Sequence, residues 1–382
     1  MFFKDIPGNQ RLKKELVSTV KRNRISHAQV FSGNSGSAKL AIAFAYARYL
    51  NCTSTSEEDS CGQCTSCLKY NTLSHPDLHL IFPVVKTGLA KNTISDNFVK
   101  IFREFILKNI YGSLNDWIEK FELKNKTTDK ASIYKDEALS IQRKVILKKF
   151  EARYRVFLIW MPEQMNIEAS NKLLKVFEEP PTNTIFLLVS ENPEKLLPTI
   201  SSRTQQTRVK NFKNNDIFKF FQKRDLTIQK IEQLINMTDS DLGKMIKLIE
   251  GFEDINLLDD FSLWMRLVYK IDVVNISKWV DSIYTKGRKH QKIFLSYSIS
   301  IIRECLIFNF ADNTLLKSNI KEQSFISKFS PFINENNSVI IIEKMEKAIR
   351  EINRNANAKI LFFELSLQII NLLKVKRNFA TN

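Results

Sequence analysis

Glycine and proline are scarce in this 382-residue chain, and they are unevenly placed. Of nine glycines and nine prolines, only four follow residue 200: Gly243, Gly251, Gly287 and Pro331. Because both residue types interrupt helices, their scarcity predicts an almost entirely helical second half. Up to about residue 209, short apolar runs alternate with helical patterns, which predicts a parallel sheet flanked by helices. These runs are AQVFSG, DLHLIFPV, YRVFLIW, TIFLLVS and QQTRV.

The chain also lacks the continuous apolar run of about eighteen residues that a membrane span requires. Its first residues, MFFKDIPGNQRLKKEL, mix acidic and polar residues with apolar ones, unlike a secretory leader. We therefore expect a cytoplasmic protein with no membrane partner. Its length allows two or three domains.

Acidic residues are too few to balance the basic ones, because 58 lysines and arginines face 41 aspartates and glutamates, giving a net charge of +17. Such an excess favours contact with polyanions, and nucleic acid is the first candidate. A solvated lysine-rich surface would have the same composition. Charge alone leaves both interpretations open.

Five cysteines are present, and four of them fall within the segment NCTSTSEEDSCGQCTSC. Cys52, Cys61, Cys64 and Cys67 supply two overlapping C-x-x-C spacings and a fourth thiol, enough for a tetrahedral zinc site. Disulfides are the alternative, but they would be reduced in the cytoplasm. Four protein ligands leave no position for water, so the predicted zinc has a structural role. Cys305 stands alone among apolar residues and is predicted to be a core thiol.

The stretch FSGNSGSAKLA resembles a phosphate-binding loop that has lost two of its fixed residues. A working loop has Gly, four residues, Gly, Lys, then Ser or Thr. Gly33 and Lys39 match, but Ala38 replaces the second glycine and Leu40 replaces the hydroxyl that holds magnesium. Ala38 adds a Cβ where backbone N–H groups must close on phosphate.

A second loss falls at the end of the strand YRVFLIW, where a nucleotide-hydrolysing domain places acidic residues. Trp160 and Met161 occupy that tip, and Glu163 follows too far along to replace both carboxylates. We therefore expect no ATP hydrolysis by this chain. Between about 84 and 132 the pattern is interrupted, which indicates an insertion with some helix of its own and a mobile lysine-rich loop at its end.

Several blocks resemble bacterial clamp-loader ATPase subunits. NKLLKVFEEPPTNTIFLLVSENPEKLLPTISSRTQ is similar to their LLK-x-LEEPP…SRCQ block, and RISHAQVFSGNSG to their phosphate loop. The cysteine spacing matches their zinc module, and NRNANAKILFFELSLQI resembles a motif of their collar domain. The blocks are distributed over nearly the whole chain.

The resemblance implies an α/β AAA+ P-loop domain with a parallel sheet over residues 1–209. This domain would contain the zinc knuckle, 52–67, and the insertion, about 84–132. A small helical lid would follow at 210–255, and an all-helical collar for oligomerisation at 256–382. Gly33, Gly36 and Lys39 would be remnants of the phosphate loop.

Within this family the degraded loop is similar to that of a member that does not hydrolyse ATP. The resemblance then implies a stator subunit of the DNA polymerase III clamp loader, part of a DNA-directed DNA polymerase holoenzyme and not catalytic by itself. Its partners would be the ATP-binding motor subunits and the delta subunit and, through the complex, the sliding clamp and primed DNA.

The same resemblance gives Arg203 a role, because the family's Ser-Arg-Cys element presents its arginine to ATP held by a neighbouring subunit. Ser202, Arg203 and Thr204 occupy those positions, so Arg203 is predicted to be an arginine finger in trans, supported by Ser202. A surface salt bridge is the structural alternative for Arg203. For the whole chain, the alternatives are an ATP-hydrolysing motor subunit with a divergent loop and a basic zinc protein that binds DNA on its own.

Overall fold

The structure is a computed structural model that describes residues 1–85, 94–122, 131–222, 224, 226–249, 257–310, 318, 320–353 and 356–374. It divides into two compact units. The first comprises Met1–Arg224 and Ser240–Ile246, and the second comprises Asp225–Asp239 and Lys247–Asn382. The division falls inside the predicted lid, 210–255, so the three-domain arrangement stays a prediction.

The first unit is built on a five-stranded parallel sheet. Its strands are β1 (Ala28–Ser32), β2 (Leu78–Ile81), β3 (Arg155–Trp160), β4 (Thr184–Ser190) and β5 (Gln205–Arg208), in the order β2-β3-β4-β1-β5. Strands β3, β4 and the first four residues of β1 are fully buried. This explains their continuous apolar sequences.

The helices of the first unit are α1 (Gln10–Lys21), α2 (Lys39–Leu50), α3 (Thr65–Asn71), α4 (Val99–Lys108), α5 (Leu114–Glu122), α6 (Lys135–Ile146), α7 (Ile167–Glu178), α8 (Pro198–Ser201) and α9 (Asn214–Gln222). Helix α10 (Ile228–Thr238) lies in the second unit, and α11 (Leu242–Ile249) begins in the first. The second unit continues with α12 (Leu257–Lys270), α13 (Val273–Thr285), α14 (Gly287–Phe310), α15 (Ile320–Phe329), α16 (Glu335–Asn353) and α17 (Ala358–Leu373).

Helices cover both faces of the sheet. Every residue of α2 is buried, because its sequence KLAIAFAYARYL is apolar on nearly all sides. Tyr46 of α2 packs against Phe31 of β1, with ring centroids 6.2 Å apart. Alternate strand residues point the other way, and there Leu173 and Phe177 of α7 join the core. The predicted fold class, a parallel α/β sheet with helices followed by a helical region, is confirmed.

The second unit has a separate aromatic core. Trp264 of α12 and Trp279 of α13 are stacked, with centroids 5.0 Å apart and ring planes 3° apart. The indole N–H of Trp264 donates to the Ser366 hydroxyl at 2.8 Å. Cys305 is fully buried in the same core, as predicted.

Part of α14, His290–Phe310, is long and apolar enough to cross a membrane by length and composition, a feature that the sequence analysis did not single out. Of its apolar eighteen-residue window, 56% is buried inside the protein. Phe294, Ile301 and Ile302 belong to the core of the second unit. A core helix of this kind accounts for its apolar character.

The insertion is closed at its ends and contains α4 and α5. Val84 and Ser132 exchange two backbone hydrogen bonds of 3.0 Å, which bring the chain back beside its point of departure. Trp117 of α5 is fully buried and donates its indole N–H to the Pro83 carbonyl at 2.8 Å. The predicted mobile loop falls partly on residues 123–130, outside the described residues.

An aromatic cluster joins the insertion to the sheet. The Phe82 and Phe102 rings are stacked at 3.8 Å, and both meet the Trp117 indole edge-on. Phe102 and Phe105 also contact Trp160 at the end of β3, at 5.5 and 6.0 Å between centroids. The insertion is therefore packed into the core of the first unit.

Replacing Trp117 with Ala is expected to lower the free energy of unfolding by about 3–5 kcal/mol, because it leaves a large cavity and an unpaired Pro83 carbonyl. Urea unfolding of the full chain measures this loss. Leu107→Ala, at a half-exposed position on α4, is the matched control and should cost less than about 0.5 kcal/mol. Equal losses for both variants would contradict integral packing of the insertion.

Candidate functional site

The four predicted cysteines come together at the end of α2 and the start of α3. Their Sγ atoms all lie within 4.8 Å of one another. In a tetrahedral zinc–thiolate site the sulfurs are about 3.8 Å apart, so a small adjustment brings all four to a metal. Cys52, Cys61, Cys64 and Cys67 are thus positioned to bind a metal ion.

The backbone around the cluster stabilises thiolates. The N–H groups of Cys61, Cys64 and Cys67 donate to the sulfurs of Cys52, Cys61 and Cys64 at 3.2, 3.4 and 3.4 Å. Burial raises the pKa of Cys64, but hydrogen bonds from the backbone of Thr53 and Cys67 outweigh it and bring the pKa to about 6. The donor set therefore fits a metal ion that binds deprotonated sulfur.

A buried arginine supports the turn of the cysteine cluster. Arg48 of α2 is only 1% exposed, donates to the Asn71 side chain at 2.9 Å and lies 3.9 Å from the Phe2 ring centroid. Gly62, between two of the cysteines, has φ +82° and would place a Cβ 2.6 Å from that ring. Glycine is therefore required where the knuckle meets Phe2.

The phosphate-type loop connects β1 to α2, as its sequence predicts. Gly33 follows β1, and a Cβ there would lie 2.9 Å from the Val209 carbonyl. Gly36 has φ +69°, a conformation that favours glycine. The side chains of Ala38 and Leu40 are hydrocarbon and both are buried, so neither offers a polar group to a ligand.

Lys39, the residue expected to meet phosphate, is engaged within the chain. Its Nζ donates to the Asn34 carbonyl at 2.8 Å and to Glu191 Oε1 at 3.1 Å. The lysine side chain is 5% exposed and that of Glu191 is 21% exposed, so the ion pair is largely shielded from water. The loop and its lysine lie together, but the lysine already has a carboxylate partner.

The tip of β3 is apolar, in agreement with its sequence. Trp160 and Met161 are buried, and Met161 has φ +54°. Glu163 Oε1 accepts the backbone N–H groups of Glu191 and Asn192 at 2.7 and 3.1 Å. Glu163 thus fixes the chain that follows β4.

Arg203 lies between α8 and β5 with its side chain 35% exposed. Its guanidinium contacts Glu178 Oε1 at 2.5 Å and donates to the Thr199 carbonyl at 2.8 Å. Ser202 is exposed and lies 3.4 Å from the Arg203 guanidinium. Within the chain, Arg203 therefore makes a surface salt bridge, which was the alternative to the arginine finger. Its side chain remains one-third exposed to solvent.

Sequence reasoning missed two carboxylates beside the loop. Glu191 pairs with Lys39, and Asp241 lies against Gly36, where a Cβ would be 1.9 Å from Asp241 Oδ1. Asp241 is about 200 residues from the loop in sequence, so no local pattern indicates this contact. Its only signal is the sequence SDLGK, in which Asp241 can cap the next helix.

Comparison with known proteins yields one family. The family model described as DNA polymerase III, delta subunit, matches residues 8–213. The delta' subunit of DNA polymerase III from Bacillus subtilis (strain 168) is 24% identical over 307 residues, which are 78% of this chain and 76% of that protein. The tau subunit from the same organism is 26% identical over 204 residues, which are 53% of this chain and 28% of that protein.

Among solved structures, a DNA polymerase III gamma subunit-related protein from Thermotoga maritima aligns over 94% of this chain and 99% of its own, at 13% identity and a TM-score of 0.39. A parallel α/β unit with a phosphate-type loop and a four-cysteine cluster, joined to a helical unit, defines a P-loop-type protein in which Leu40 stands at the position of the magnesium-binding hydroxyl. The chain belongs to the DNA polymerase III delta subunit family, whose model covers more than half of it. The resemblance to clamp-loader subunits is thereby confirmed.

Proposed function

We propose that this chain is a non-hydrolysing stator subunit of the replicative DNA polymerase III clamp loader. The observation that carries the proposal is the pairing of Lys39 with Glu191 beside an apolar strand tip. A loop whose lysine is paired with a carboxylate of its own chain has lost the cation that binds phosphate. With Leu40 in place of the magnesium-binding hydroxyl, and Trp160 and Met161 at the strand tip, it also lacks the groups that position magnesium for ATP hydrolysis. Its main task would be assembly in the cytoplasm, with motor subunits and the delta subunit as partners.

Arg203 would be the chain's contribution to chemistry. An arginine that is one-third exposed can exchange its bond to Glu178 for a phosphate oxygen of ATP held by a neighbouring subunit. There its charge would stabilise the transferred phosphoryl group, with Ser202 beside it. The complex would act on the sliding clamp and on primed DNA.

Zinc is the metal we propose for the four cysteines, because four thiolates at this spacing suit a tetrahedral ion and disulfides are disfavoured in the cytoplasm. When bound, the metal supplies a fixed coordination geometry and no reaction. The cysteines themselves hold the end of α2 against the start of α3. This keeps the knuckle folded.

Co-expression with the ATP-binding loader subunits tests the proposed function. We expect a stoichiometric complex on size exclusion, and no ATP turnover by the purified chain alone. Steady turnover by the lone chain would instead support an ATP-hydrolysing motor subunit. Failure to enter the complex, or tight salt-sensitive binding of primed DNA by the lone chain, would favour an independent DNA-binding protein.

A further inference from the structure

The phosphate-type loop is covered by two of the chain's own carboxylates. We propose that Glu191 and Asp241 are the residues that exclude polyphosphate from this loop, and that the insertion holds Asp241 in place. This assignment deepens the non-hydrolysing role proposed above and rests on it. It attributes the exclusion to specific acidic groups rather than to the substitutions at Ala38 and Leu40 alone.

Glu191 occupies the bonding position that a phosphate oxygen would take on Lys39. The pair is 3.1 Å long and the lysine is nearly inaccessible, so an incoming anion must first displace the carboxylate. The backbone that carries Glu191 is held in place, because Glu163 Oε1 accepts its N–H and that of Asn192. Glu163, which follows the tip of β3, is therefore a positioning residue. It holds the backbone from which Glu191 reaches Lys39.

Asp241 covers the glycine that would let phosphate approach the backbone. A Cβ on Gly36 would meet Asp241 Oδ1 at 1.9 Å and its Cγ at 2.4 Å, so the carboxylate lies directly on the loop. Oδ1 also accepts the backbone N–H of Lys244 at 3.0 Å, which caps α11. Burial raises the pKa of Asp241 above its ordinary value, and the hydrogen bond from the Lys244 N–H and the charges of Lys244 and Lys39 offset only part of that rise.

The insertion fixes the start of α11 and so fixes Asp241. Asn109 donates its side-chain N–H to the Gly243 carbonyl at 3.1 Å. A Cβ on Gly243 would lie 2.1 Å from the Tyr111 carbonyl, so only glycine allows this approach. Asn109 and Tyr111 follow α4, which is packed on Trp160 through Phe105. The insertion thus both covers the strand tip and holds α11 against the loop.

Both carboxylates carry the same charge as polyphosphate, and the ion pair with Glu191 already neutralises Lys39. A phosphate would lose the attraction of Lys39 and meet repulsion from Glu191 and Asp241 at contact distance. Because the group is shielded from water, this repulsion is weakly screened. Two local changes of charge should then be enough to admit an anion.

The test measures binding of inorganic tripolyphosphate to the full chain by calorimetry. Glu191→Gln keeps the shape but removes the charge, and Asp241→Ser keeps a helix-capping hydroxyl while exposing Gly36. The double variant should bind at least about tenfold more tightly than the wild-type chain, a difference of about 1.4 kcal/mol. Adding Lys39→Ala should abolish the gain. Glu194→Gln, at an exposed position two residues past Asn192, is the control and should gain nothing.

A second measurement, the accessibility of the Lys39 amine, uses the single variant Glu191→Gln and does not require the double variant to fold. Acetylation of Lys39, followed by mass spectrometry, should be slow in the wild-type chain and faster in Glu191→Gln alone. A folded double variant that binds no better than wild type, or Lys39-dependent binding by the wild-type chain, would overturn the assignment. Unchanged Lys39 acetylation in folded Glu191→Gln would do the same. Entry of the variants into the loader complex is measured separately, so its loss would count against the proposed function and not against the two carboxylates.

Discussion

Replacing Arg203 with Ala in the assembled complex should slow ATP hydrolysis at the neighbouring site by about 10³-fold or more. In the proposed complex, the guanidinium would supply positive charge where negative charge develops on the transferred phosphoryl group. Arg203 is accessible, and its partner Glu178 is a surface residue, so its removal should leave the fold and the complex intact. Single-turnover hydrolysis in the presence of primed DNA measures the effect at one site.

Three variants control this experiment. Arg208→Ala removes an exposed arginine at the end of β5 and should leave the rate unchanged. Arg203→Lys keeps the charge but loses the planar fork, so it should recover only part of the rate. Glu178→Gln removes the ion pair inside the chain but keeps the arginine, and should hydrolyse close to the wild-type rate. A wild-type rate for Arg203→Ala would end the finger hypothesis.

Replacing Cys61 and Cys64 together with Ser should reduce bound zinc from one equivalent to none. Two ligands are insufficient for a structural site, and the metal's binding energy is also folding energy. Because the sheet core of the first unit remains, we expect this unit to stay folded. Its free energy of unfolding should fall by about 4 kcal/mol, which corresponds to a fall in Tm of about 8–16 °C. Elemental analysis and thermal unfolding provide the two readouts.

Cys305→Ala is the matched cysteine variant, since Cys305 is buried in the core of the second unit. It should keep a full equivalent of zinc and lose only about 1 kcal/mol through the small cavity. A chelator should lower the Tm of this variant and of the wild-type chain by similar amounts. Retention of one equivalent of metal by the Cys61 and Cys64 double variant would contradict the four-thiolate assignment.

Local patterns were sufficient for the sheet and for the metal cluster. The apolar run TIFLLVS forms the strand Thr184–Ser190, because a short run rich in β-branched and aromatic residues, bounded by polar residues, favours a buried strand. The helix before it ends at Glu178, where two prolines prevent continuation. The cysteines converge because their spacing is short enough to fix a turn.

Contacts between distant segments could not be predicted. The loss of carboxylates at Trp160 was visible in the sequence, but the partners that fill the space, Phe102 and Phe105, belong to an insertion whose purpose no pattern indicates. The pairing of Lys39 with Glu191 joins residues 152 positions apart. Since a carboxylate after a strand is common on protein surfaces, only the folded backbone reveals which cation it meets.

The four tryptophans are divided equally, with Trp117 and Trp160 in the first unit and the stacked Trp264 and Trp279 in the second. Indole fluorescence can therefore be assigned by location. A chain in which phenylalanine replaces one pair would emit from the other pair alone. Two such chains, heated or mixed with subunits in parallel, would distinguish whether the sheet or the helical region responds first.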